Sequence, residues 1–95
     1  MIWEDDNYIA FENIKPEAPV HVLIIPKDHV EKKDAIKGAV DVRFWDNFMS
    51  AINKVIKQLD LDKTGYRLVN NGAGYNHLEH EHFHLLGGEG WHPDK

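Results

Sequence analysis

The sequence predicts an α+β protein: an antiparallel sheet of about five strands with one long helix packed on one face. Three observations carry this. Short apolar segments with strand periodicity flank a single amphipathic segment with helical periodicity, the connections are short, and the order strands, helix, strands argues an antiparallel sheet carrying that helix on one face. The chain is 95 residues long, 42% hydrophobic and 28% charged, which fits one soluble domain over residues 1–95. The formal charge of −5 argues against a nucleic-acid partner, which needs a basic surface to displace counterions. Cysteine is absent, excluding disulfides, thiolate metal sites and a Cys nucleophile. The opening Met1-Ile2-Trp3-Glu4-Asp5-Asp6 lacks a basic segment or apolar run, and no membrane span is visible. The expectation is therefore a cytoplasmic protein with no membrane partner.

The strands and helix follow in order. Ile2, Trp3, Tyr8, Ile9, Ala10 and Phe11 surround an acidic turn at Asp5-Asp6-Asn7 and read as two short strands. Pro16 and Pro19 mark a loop, after which Val20–Pro26 is a nearly continuous apolar run. It reads as a central strand covered on both faces, with His21 its one polar side chain. Between Asp28 and Lys37 the chain is charged, with Asp34 placed to cap one helical turn. Phe44, Phe48, Ile52, Val55 and Leu59 then recur at helical spacing, and Trp45, Met49 and Ile56 widen the stripe. A helix of about 19 residues starting near Asp41 is expected, wide enough on its apolar side to cover a sheet and meet a second subunit. A turn at Asp62–Gly65, a strand at Tyr66–Val69 and a turn at Asn70–Gly74 precede the last strand.

That strand, His77-Leu78-Glu79-His80-Glu81-His82-Phe83-His84-Leu85-Leu86-Gly87-Gly88, holds four of the seven histidines. Period two places His80, His82 and His84 on one face, neighbours roughly 6 to 7 Å apart, with Phe83 and Leu85 under the helix. Three aligned imidazoles admit a nucleophilic site, in which a neutral ring attacks an electrophile beside a charged donor. They also admit a zinc site built on His-x-His. Ordinary satisfied polar residues are the third reading, and spacing alone leaves all three open.

His80-Glu81-His82-Phe83-His84-Leu85-Leu86 resembles the signature of the histidine triad (HIT) family, His-φ-His-φ-His-φ-φ with φ apolar. Trp3-Glu4-Asp5-Asp6, the stretch from Ile14 through His21 to His29, and Gly65–Gly72 look like family segments in the family's order, so the resemblance spans nearly the whole chain. Gly87-Gly88 and the tail at Trp91-His92-Pro93 look like its Hint branch. The resemblance implies a HIT-like fold, here in a minimal form without the N-terminal helix of most relatives. It implies a homodimer and a nucleotidyl hydrolase or transferase acting at an α-phosphate, most similar to a purine nucleoside phosphoramidase. A dinucleoside polyphosphate hydrolase is the alternative, and a zinc-binding module of His77, His80, His82 and His92 is the alternative of a different class. The substrate would carry an AMP or GMP moiety, with no cofactor and no bound metal.

Carried over by that resemblance, His82 is the nucleophile, His84 donates to the phosphate, and His80 and His21 orient the triad. Asn71 matches an asparagine near the phosphate, Phe11 and Ile14 match residues that sandwich the base, and Asn13 stands where a ribose-binding aspartate is common. Two positions depart from the pattern. His77 replaces a small hydroxyl residue and serves either as general acid for the leaving group or as a metal ligand, in a loop about two residues shorter than usual. Glu81 occupies an apolar slot, which implies an exposed strand start or an interface.

Overall fold

The computed structural model describes residues 2–28, 43–72 and 80–91. Their elements are β1 (Trp3–Glu4), β2 (Tyr8–Glu12), β3 (Val20–Pro26), α1 (Phe44–Gln58), α2 (Leu61–Thr64), β4 (Tyr66–Val69) and β5 (Phe83–Gly87). The five strands form one antiparallel sheet in the order β1-β2-β3-β5-β4, and α1 covers one face, as the sequence predicts. The turn capped by Asp34, the helix start at Asp41 and the loop from Ala73 to Glu79 lie outside the described residues.

The hairpin between β1 and β2 turns where an acidic side chain can replace a ladder. Asp5 Oδ1 accepts the backbone N–H groups of Asn7 (2.8 Å) and Tyr8 (2.7 Å), satisfying two donors that the turn would otherwise strand. β3 takes the middle of the sheet, paired with β2 from Tyr8↔Pro26 to Glu12↔Val22 and with β5 from Val20↔Gly87 to Ile24↔Phe83. Alternation along these strands sends Tyr8, Ala10, Val22, Ile24, Phe83 and Leu85 toward α1, all buried. Their packing partners on α1 are Phe44, Phe48, Ala51, Ile52, Val55 and Ile56. Phe48 is the centre: it has no exposed surface, and its ring lies 4.8 Å from Phe83, 5.2 Å from Tyr8 and 5.6 Å from Phe44. Burying one such side chain contributes about 1.5–3 kcal/mol.

Three expectations need correction. β3 is fully covered on one face only: on the face away from α1, His21 is buried but Leu23 and Ile25 are half-buried. On α1, Trp45 and Met49 stand 39% and 40% exposed, so the helix covers the sheet with a narrower arc than its apolar residues span. The expected turn at Asp62–Gly65 is the one-turn helix α2, entered through Asp60 in the left-handed region (φ 57°) so that Leu61 can drop into the core. The histidine strand is also shorter than alternation suggests: β5 begins at Phe83, and His80 makes only an isolated bridge before it. At the far end of β5, Gly87 is required by proximity. A Cβ there would sit 2.8 Å from the Gly65 carbonyl oxygen, closer than real carbons approach.

Candidate active site

The face of the sheet turned away from α1 carries the imidazoles. His84 on β5 pairs across the sheet with Leu23, and His21 on β3 pairs with Leu86, so the two rings stand on a diagonal. The His21 Nε2 to His84 Nδ1 distance is 3.0 Å. Which atom donates follows from the third partner. The Glu17 backbone N–H donates to His21 Nδ1 (3.1 Å), so that nitrogen holds a lone pair and the His21 proton must sit on Nε2. His21 therefore donates to His84 Nδ1, which leaves the His84 proton on Nε2. Burial pushes the His21 pKa below the ordinary histidine value, opposed in part by the Glu17 carboxylate, which agrees with a neutral ring.

His82 packs edge-on against His84, ring centroids 4.9 Å apart. Its Nδ1 lies 3.0 Å from the His80 carbonyl oxygen, which can only accept, so His82 carries a proton on Nδ1, and in the neutral ring the lone pair is then on Nε2. The same logic applies to His80, whose Nε2 donates to the Pro26 carbonyl at 3.0 Å and ties the segment before β5 to the end of β3. The three triad rings are thus not an even row. Two lean together beside His21, and the first turns away to anchor the chain.

Glu81 corrects a further expectation. It is not exposed: only 1% of its surface is accessible. Its Oε1 accepts from the His82 backbone N–H (3.0 Å) and from Asn70 Nδ2 (2.8 Å), and Asn70 Nδ2 also donates to the His82 carbonyl (2.8 Å). Asn70 is not among the site residues that the sequence predicts, since the stretch from Asn70 to Gly74 reads as a turn. A signal was present, because Asn70 falls in phase with Leu68, and Glu81 in phase with Phe83 and Leu85, all on the helix side.

The remaining candidates are placed as follows. Phe11 pairs with Leu23, itself the partner of His84, and so lies half-buried in the same cross-sheet row as that histidine. Asn13 is drawn into the β2–β3 connection: its Oδ1 accepts the Lys15 N–H (2.8 Å), and its Nδ2 lies 3.3 Å from His21 Nε2, a donor facing a donor once Nε2 gives its proton to His84, so the shorter His21–His84 contact is the hydrogen bond. Ile14 is 93% exposed. Asn71 is half-buried two residues beyond Val69, which pairs with His84. His77 lies outside the described residues. Among the described residues, no group of three or more His, Cys, Asp or Glu is arranged to hold a metal ion.

A neutral imidazole with one fixed lone pair, flanked by a ring presenting N–H, is suited to attack an electrophile and to steady the negative charge that develops on it. A histidine-lined open sheet face backed by one helix defines the class. The family model for the HIT domain matches residues 1–90. An uncharacterised HIT-like protein of Rickettsia prowazekii is 38% identical over 93 residues, spanning 94% of this chain and 76% of its own. A histidine triad protein from Clostridium difficile superposes with a TM-score of 0.81 at 33% identity, covering 96% of this chain and 80% of the other. A HIT family hydrolase from Legionella pneumophila gives 0.78 at 36% identity, covering 93% and 80%. The chain belongs to the HIT family.

Proposed function

We propose that this HIT protein is a nucleotide hydrolase or transferase, and more narrowly a purine nucleoside phosphoramidase that works through a covalent nucleotidyl-His82 intermediate. One observation carries the reading. The His80 carbonyl holds the His82 proton on Nδ1, so Nε2 keeps a lone pair in the neutral ring and no base is needed to create the nucleophile. In the first half-reaction Nε2 attacks the α-phosphorus. The Nε2–P bond forms, the bond to the amine breaks, and the amine leaves with the electron pair and takes a proton from an acid on its side, for which His77 is the candidate. The positive charge now on the ring is spread toward Nδ1–H and the His80 carbonyl, while His84 Nε2–H donates to a phosphate oxygen. In the second half-reaction water attacks phosphorus, the Nε2–P pair returns to the ring, and the water proton passes to the group that earlier gave one.

Phe11 and Ile14 would sandwich the base, Asn13 would meet the ribose, and Asn71 would meet the phosphate. Residues 1–95 form one HIT domain in this reading, working in the cytoplasm as a homodimer. Exposed Trp45 and Met49 on α1 and Tyr66 on edge strand β4 support the second subunit. Among the described residues no helix is long and apolar enough to cross a membrane.

His82→Asn tests the mechanism. Turnover of an adenosine or guanosine phosphoramidate is expected to fall by at least about 10³-fold, as when other nucleophiles are removed, with the thermal midpoint unchanged. A variant that keeps most of its activity refutes the covalent route, and a preference for dinucleoside polyphosphates in a substrate panel would move the specificity.

A further inference from the structure

His82 stands just outside the sheet that is supposed to hold it. The β3–β5 ladder starts at Ile24↔Phe83, and the β4–β5 ladder ends at Val69↔His84, so neither neighbouring strand pairs with His82. Its two main-chain polar groups are nonetheless engaged, both by side chains. Glu81 Oε1 takes the N–H at 3.0 Å, and Asn70 Nδ2 gives to the carbonyl at 2.8 Å. The second Asn70 hydrogen goes to the same Glu81 oxygen at 2.8 Å, closing a ring of three hydrogen bonds around one peptide segment.

We propose that Asn70 and Glu81 are a positioning couple that fixes the main chain of His82 and thereby aims its Nε2. The inference rests on the proposed role of His82 as nucleophile. Both residues occupy positions whose alternation belongs to the apolar core, and Glu81 is 99% buried by surface. A carboxylate at such a place is costly unless hydrogen bonds offset its desolvation, and an apolar side chain would fit without them. The couple stands where the ladder stops, and supplies His82 with the two bonds that pairing strands would have made. The ring follows, because its own Nδ1 bond goes to the carbonyl of His80, the residue before Glu81. Displacing a reacting atom by about 1 Å can cost about 10²-fold in rate, so a side-chain clamp at this point acts on catalysis through His82.

The test uses three variants. Glu81→Leu removes the acceptor while filling the slot with apolar volume, Glu81→Gln keeps an oxygen for both donors, and Asn70→Ala removes the other half. With a nucleoside phosphoramidate as substrate, Glu81→Leu and Asn70→Ala are each expected to lower kcat about 10- to 100-fold with KM within about twofold. Glu81→Gln should recover most of the rate. The double variant Asn70→Ala/Glu81→Leu should be no slower than the worse single, since the residues act as one unit. A second readout needs no substrate: ¹⁵N spectra of labelled protein report the His82 ring tautomer. The resting protein is expected to show Nδ1–H alone, and Glu81→Leu and Asn70→Ala a mixture. A kcat within twofold of the parent in Glu81→Leu overturns the couple, and so does an unchanged tautomer in that variant. Should Glu81→Leu not fold, Asn70→Ala carries the same two criteria. A parent protein inert toward phosphoramidates faults the proposed reaction alone, because the tautomer still reads the clamp.

Discussion

The two faces of the sheet are held in different ways. On the α1 side, aromatic and aliphatic side chains interlock around Phe48, and their positions are over-determined because each touches several others. On the other side, orientation is set by single directional bonds: Glu17 N–H to His21, His21 to His84, His82 to the His80 carbonyl, His80 to the Pro26 carbonyl. Packing gives stability without choosing a protonation state, whereas the bonds choose protonation states and contribute modestly to stability. Stability and chemistry are therefore separable by face, except at Asn70 and Glu81, where polar side chains enter the helix side to hold a residue of the other.

Four substitutions or conditions probe that separation, in falling order of effect. His82→Asn belongs to the open face and should remove activity without changing the melting temperature; a drop of many degrees would mean that the histidines also carry the fold. Phe48→Ala is its mirror. Truncating this fully buried ring is expected to cost about 3–5 kcal/mol in denaturant unfolding, while kcat per folded molecule stays near the parent value. Gly87→Ala forces a carbon to within 2.8 Å of the Gly65 carbonyl and 3.1 Å of Leu61, and overpacking of this kind costs about 1–3 kcal/mol. Because β5 carries His84, calorimetry and kinetics on that variant measure how far strain in the packed side reaches the open one.

The smallest effect is the pH dependence of His21. Burial holds its folded pKa below its unfolded value, so between those values the unfolded chain binds more protons than the folded one. Stability is then complete above the unfolded pKa and declines as pH falls through it toward the folded pKa. A His21→Asn variant should show a flatter loss of melting temperature from pH 7 downward. An identical slope would place the sensitive group elsewhere.

The architecture was legible in the sequence because it depends on periodicity. The α1 stripe, the apolar run of β3 and the alternation of Phe83 and Leu85 each have one low-energy solution, and the sheet with its covering helix follows. The histidine set and its family were equally legible through the motif. What escaped were features decided by contacts between distant segments. The start of β5 depends on where β3 and β4 stop pairing, the partner of Glu81 is eleven positions away, and that of His21 is sixty-three. Glu81 predicts an exposed strand start or an interface because a carboxylate in an apolar slot usually signals solvent or a partner; its burial instead follows from a buried amide that supplies a bond to one of its oxygens. Asn13 and Ile14, assigned by likeness to ribose and base contacts, lie in a connection whose local turn bonds no periodicity reports.

The Glu17 amide has one more consequence. A peptide N–H never surrenders its hydrogen at neutral pH, so the line it starts runs one way, from Glu17 through His21 into His84. With that polarity His84 presents a donor, not an acceptor, on its far nitrogen. It can steady an anion, but in that state it has no vacancy with which to strip a hydrogen from water. In the proposed reaction the proton transfers would then fall to the leaving-group side of the phosphate, while the direction of the other side is set by a backbone amide before any substrate arrives.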